Sequence, residues 1–162
     1  MAIKEGDKIP AATLHTMRDG KPAAVTTSEL FDGKKVVVFA VPGAFTPTCD
    51  AAHMPSFVRT AKAFRQKGID EIICISVNDP YVMQIWGQQS GAADAGITML
   101  ADAGAEFTQA VGMAYSKPAG GMINRSHRYA MLVENGVVTR LHLEASNGAC
   151  EISGGEALLA EV

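Results

Sequence analysis

The sequence predicts an α/β sandwich whose core strands run parallel and whose edge is an antiparallel hairpin. Three observations carry this. Lys35 to Val41 and Glu71 to Val77 are short apolar runs rich in β-branched residues, as in strands buried on both faces. Helix-like segments alternate with the strand-like ones. Near the C-terminus, Arg128 to Val133 and Val137 to Leu143 flank Glu134-Asn135-Gly136, and Asn-Gly is a strong tight-turn signal.

The elements follow in order. Lys35 to Val41 is a strand, and Pro47 to about Lys67 a helix. Pro55 lies inside that helix, so a kink is expected where the bond to the Ala51 carbonyl is lost. Glu71 to Val77 is a second strand, closed by Asn78-Asp79-Pro80. Asp79 suits the N-cap of a helix from Pro80 to about Gln89. Ile97 to Ala101 reads as a short strand and Glu106 to Val111 as a short helix. The hairpin comes next, and Gly155 to Glu161 reads as a last helix. With 162 residues and no repeat or linker, residues 1–162 are read as one domain.

Composition excludes several classes. Hydrophobic residues make up 48% and charged ones 19%, which suits a folded domain and argues against disorder. The net charge is −3 and no Lys/Arg cluster occurs, which argues against nucleic acid as a partner. The longest apolar run, Val36 to Val41, is far too short to span a bilayer. The N-terminus lacks the basic-then-apolar pattern of a signal peptide, so a cytoplasmic location is expected. Three cysteines do not suggest a secreted disulfide scaffold, and Cys-x-x-Cys is absent.

The densest chemistry lies in Pro42-Gly43-Ala44-Phe45-Thr46-Pro47-Thr48-Cys49, which leaves the carboxyl end of a core strand. Ligand sites in such sheets gather at those ends. Thr46 reads as an N-cap and Pro47 as the first helical residue. Cys49 is then third in the helix, where free backbone N–H groups and the dipole favour a thiolate. The alternative is a small buried hydrophobe. Asp50 reads as a favourable first-turn carboxylate. His53, on the same helix face, reads as a residue hydrogen-bonded to neighbouring loops, with modulation of the thiolate as the other reading.

Three blocks in order resemble the peroxiredoxins, specifically the type II or atypical Prx5-like group. They are Val41 to Cys49, with Pro42, Thr46 and Cys49 in a Pro-x-x-x-Thr-x-x-Cys motif, Cys74-Ile75-Ser76-Val77-Asn78-Asp79, and Arg128-Tyr129-Ala130-Met131-Leu132-Val133. The resemblance covers nearly the whole chain. It implies a thioredoxin-like fold with a central mixed sheet flanked by helices. It also implies thiol-dependent reduction of hydrogen peroxide and alkyl hydroperoxides, with no metal or organic cofactor. By similarity Cys49 is the peroxidatic nucleophile, passing through a sulfenic acid. Arg128 is the cation the resemblance supplies, with Arg125 as the nearby alternative. Thr46 would donate its hydroxyl to thiolate or peroxide, and Pro42 would keep water from the sulfur.

Resemblance to plant-type members makes Cys74 the favoured resolving cysteine, although its neighbours read as a buried strand. Cys150, in a Gly-containing loop, falls in the region where animal-type members carry theirs. The third option is an external thiol reductant: glutathione, glutaredoxin or thioredoxin. Phe45, Met54 and Phe57 would suit an alkyl tail. The family suggests a homodimer, with the Cys49 loop and the region around Trp86 as contact surfaces. The competing readings are a redox-sensing thioredoxin-like protein that relays disulfides to a partner, and an inactive thioredoxin-like interaction module.

Overall fold

Alternation along one strand explains the two-sided core. In the computed structural model, which describes residues 1–162, Val37, Phe39 and Val41 join one apolar cluster, while Val36, Val38 and Ala40 join another. Successive strand side chains point to opposite faces, so an unbroken apolar run fills both.

The chain opens with a hairpin of β1 (Thr13–Arg18) and β2 (Lys21–Thr26), then α1 (Thr27–Phe31) and β3 (Lys35–Val41). α2 (Met54–Gln66), β4 (Glu71–Ser76), α3 (Pro80–Gln89), β5 (Thr98–Ala101) and α4 (Glu106–Ala110) follow. β6 (Ala114–Lys117) and β7 (Met122–Ser126) pair only with each other. β8 (Tyr129–Glu134), β9 (Val137–Leu143) and α5 (Gly155–Leu159) complete the fold.

Seven strands form one sheet in the order β2-β1-β5-β4-β3-β8-β9. β3 is parallel to β4, and β4 to β5. β8 pairs antiparallel with β3 and with β9, and β1 with β2 and β5. The mixed sheet expected from the sequence is therefore present, with its parallel strands at the centre. Phe57 and Phe64 of α2, Met83 and Trp86 of α3 and Leu158 of α5 cover one face. Leu30 and Phe31 of α1 and Phe107 of α4 cover the other.

The β1–β2 and β6–β7 hairpins are additions to the sequence reading, whereas the β8–β9 hairpin is the expected one. At the β1–β2 turn, Asp19 (φ 52°) and Gly20 (φ 76°) both take positive φ, as do Asn135 (φ 48°) and Gly136 (φ 77°) at the β8–β9 turn. Both are the primed two-residue turns that match strand twist. Only the second follows an apolar run, Tyr129 to Val133, that is recognisable from the sequence.

The helix after β3 also differs from expectation. Helical backbone begins at Pro47, but Cys49–His53 form a π-turn in which the Met54 N–H donates to the Cys49 carbonyl. α2 starts anew at Met54, which places Pro55 in a first turn rather than a helix interior. There its missing N–H costs no ladder bond. The break expected near Pro55 is thus taken up by the π-turn. Asp79 caps α3 as expected, its Oδ1 accepting the Val82 N–H at 2.9 Å. No helix is long and apolar enough to cross a membrane.

Candidate active site

Strand register assembles the site. Ala40 pairs with Tyr129 across β3 and β8, so Arg128 lies beside the end of β3 where the Val41–Thr48 loop departs. Cys49 follows that loop directly, is third in the helical backbone that begins at Pro47, and is fully buried. The Ala44 N–H donates to Asn78 Oδ1 (3.0 Å), tying the loop to the end of β4. Phe45 takes a left-handed backbone (φ 64°), strained for a non-glycine residue, and leans on Trp86 at 6.2 Å between ring centroids.

Arg128 is only 1% exposed, and its guanidinium faces the sulfur. Nη2 donates to Cys49 Sγ at 3.1 Å and to the Asn147 carbonyl at 3.1 Å. Nε donates to the same carbonyl at 3.2 Å, and Nη1 donates to His53 Nδ1 at 2.9 Å. No carboxylate forms an ion pair with Arg128. A buried charge needs a counter-charge or a full set of hydrogen bonds. Its other partners are neutral acceptors, which leaves the Cys49 sulfur as the one ionisable group among its hydrogen-bond partners besides the neutral His53.

His53 is fixed by its two contacts. Nε2 lies 2.9 Å from the Ser153 carbonyl and must donate to it, which leaves Nδ1 as the acceptor from Arg128. Burial, reinforced by the Arg128 charge, lowers the His53 pKa to about 3, so the ring is neutral near pH 7. The loop contact matches the sequence reading, and the contact to Arg128 adds the link to the thiol.

Thr46 enters differently from its expected role. Its hydroxyl donates to the Gly43 carbonyl at 2.7 Å, and the Asp50 N–H donates to the Thr46 carbonyl at 2.9 Å. The helix entry is therefore held by the Thr46 backbone rather than by its side chain. Pro42, Thr46 and Arg128 line a cavity of about 740 Å³, together with Tyr115, Lys117 and Asn147 among others. Arg125 reaches the Pro42 carbonyl instead of the sulfur, at 3.5 Å. Met54 and Phe57 lie in the core and Phe45 stands outside the cavity, so the expected alkyl-binding trio does not line it. The packing of Phe57 against Phe39, with stacked rings 4.1 Å apart, explains why it is unavailable.

The other cysteines differ sharply. Cys74 is fully buried in β4, and burial, then the neighbouring Cys49, pushes its pKa well up despite Arg128. Cys150 is half-buried, its pKa also raised by burial, and it borders a cavity of about 290 Å³ shared with Ala51 and Ala52. Trp86 is buried and donates Nε1–H to Asp50 Oδ1 at 2.8 Å, which removes it as an outward contact residue. Sequence reasoning missed Asn147 and Ser153, because both reach the guanidinium and His53 through backbone carbonyls that any residue type supplies; the Asn147 side chain adds an acceptor, Oδ1, for the Arg128 backbone N–H at 3.0 Å.

A family model described as Redoxin matches residues 4–159. "Peroxiredoxin-2E-2, chloroplastic" of Oryza sativa subsp. japonica is 45% identical over 161 residues, spanning 97% of this chain and 71% of its own. The chain belongs to the peroxiredoxins of the Redoxin family. "Hybrid peroxiredoxin hyPrx5" of Haemophilus influenzae is 44% identical over 144 residues, and the match takes in 89% of this chain but only 59% of that relative. The structure of reduced Prx3 of Vibrio vulnificus in complex with hydrogen peroxide superposes with a TM-score of 0.92 at 45% identity, covering 98% of each chain. Membership makes this peroxiredoxin a thiol-dependent peroxidase, which uses a peroxide and a thiol reductant, and disfavours the redox-sensor reading.

Proposed function

We propose that Cys49 is the peroxidatic nucleophile for hydrogen peroxide and small hydroperoxides, and that Arg128 supplies the charge for its attack. The observation that carries this is the buried guanidinium, without a carboxylate partner, 3.1 Å from the sulfur. The thiolate attacks the terminal peroxide oxygen, an S–O bond forms and the O–O bond breaks. The departing oxygen takes a proton and leaves as water or an alcohol, and sulfenic acid remains. Arg128 stabilises the charge as it moves from sulfur to oxygen. The Thr46 proton is engaged by Gly43, so its oxygen accepts the peroxide O–H instead of donating. Pro42, buried and without an N–H, walls one side of the cavity.

Polar side chains, those of threonine, serine, lysine, asparagine, Tyr115 and Arg128, line most of that cavity, which favours hydrogen peroxide and short polar hydroperoxides over long apolar tails. Cys150 is the internal resolving residue that the geometry favours, since Cys74 would have to leave a central strand to react. Glutaredoxin with glutathione, or thioredoxin, is the proposed external reductant, and the proposed location is a reducing compartment such as the cytoplasm, where such reductants act. A homodimer would cover the exposed Phe45, Tyr81 and Ile85 beside the site. Residues 1–162 act as one domain.

Peptide mapping of the reduced protein after one equivalent of hydrogen peroxide tests this. A rapid product at Cys49 is expected, and a Cys49–Cys150 disulfide would name the resolving partner. A Cys49–Cys74 disulfide would restore the strand cysteine to that role, and a lone sulfenic acid would assign the step to an external thiol. No product at Cys49 within minutes would overturn the assignment.

A further inference from the structure

The segment 144–154 between β9 and α5 contains no helix or strand, yet it holds the Arg128 guanidinium. The Asn147 carbonyl accepts from Nε and Nη2, and the Ser153 carbonyl acts through His53. A loop without its own hydrogen-bond ladder needs another fastening to keep two carbonyls aimed at one group.

Glu144 provides it. Its carboxylate oxygen Oε2 accepts three hydrogen bonds: from the Ser153 N–H (2.7 Å), the Ser153 hydroxyl (2.6 Å) and the Glu151 N–H (2.8 Å). The residue is 7% exposed and makes no ion pair. Its own N–H donates to the Arg128 carbonyl at 3.0 Å, so the clasp begins at the strand end that carries the guanidinium. Burial pushes the Glu144 carboxyl up, but the bonds from Ser153 and Glu151 outweigh it, and the pKa lies below its ordinary value. The group is therefore ionised at neutral pH.

We infer that Glu144 is a positioning residue for Arg128, closing the 144–153 loop so that the Asn147 and Ser153 carbonyls hold the guanidinium against Cys49. It acts through the loop and not through a direct ion pair. A carboxylate placed on the guanidinium would neutralise the charge that the sulfur and the leaving oxygen need. Glu144 directs its own charge to N–H and O–H groups and leaves that of Arg128 available. The inference rests on the role given to Arg128 above.

The test compares second-order rates of hydrogen peroxide reduction by reduced protein for Glu144→Ala, Arg128→Met and the double variant, with thermal melting to check folding. Glu144→Ala is expected to slow the reaction about tenfold in the native background and to add nothing once Arg128 is replaced, the signature of two residues acting as one unit. Glu144→Gln, which keeps an oxygen acceptor but not the charge, should fall between the two. It replaces the alanine variant, and Arg128→Lys replaces the methionine variant, if either fails to fold. An unchanged rate in the Glu144 variants, or equal slowing with and without Arg128, overturns the inference and leaves the Arg128 assignment standing. An unchanged rate in the Arg128 variant removes both.

Discussion

Cys49 and Cys74 are equally buried and belong to the same apolar cluster, yet they are chemically unlike. Cys49 opens a helix and meets a guanidinium at 3.1 Å, while Cys74 sits mid-strand opposite Phe39 with its pKa pushed well up by burial. Exposure does not separate them. The difference is direct contact with the guanidinium, delivered by the β3–β8 register; under the proposed function, that contact makes one buried thiol a nucleophile and leaves the other inert.

The largest effect that would break this contrast is loss of Cys49 itself. Cys49→Ser should reduce peroxidase turnover by about a thousandfold or more with an unchanged melting temperature, and surviving turnover would move the chemistry elsewhere. Arg128→Met should make Cys49 resemble Cys74, with about a hundredfold slower peroxide reduction and weaker thiolate absorbance at neutral pH. An unchanged rate and absorbance would show that the helix start alone suffices.

His53 sharpens the comparison through acidity. Its folded pKa is about 3 against 6.5 when unfolded, so below pH 6.5 the unfolded chain takes up a proton that the folded chain refuses. Folding stability is intact above pH 6.5 and falls by about 1.4 kcal/mol per pH unit as pH drops towards 3. Urea melts at pH 7 and pH 5 should show this extra slope in the native protein and not in His53→Gln. The smallest effect belongs to Cys74→Ala, which should cost about 1 kcal/mol of stability through lost packing and change turnover less than about twofold. A stall after one turnover would make Cys74 the resolving residue.

The sequence reading succeeded where a local rule coincides with burial. The apolar runs of β3 and β4, the Asn135-Gly136 turn and the Asp79 cap are each set by neighbouring residues. The β1–β2 hairpin was missed although Asp19-Gly20 carries the same turn signal, because β2 is mostly exposed and shows no clean alternation. Within the site, Cys49 and Arg128 were legible from motif and order. The Thr46–Gly43 bond, the carbonyls of Asn147 and Ser153 and the Glu144 clasp were not, since each depends on where the backbone of a distant or irregular segment comes to rest.

The bond from Trp86 to Asp50 has an optical consequence. Trp86 is the chain's one tryptophan, fully buried, and its indole is held by the residue that follows Cys49. An indole released from a carboxylate into water emits at longer wavelength. Each unwinding of the turn around Cys49, as a disulfide to a distant cysteine requires, would therefore register as a change of colour in the protein's own fluorescence, with no label attached.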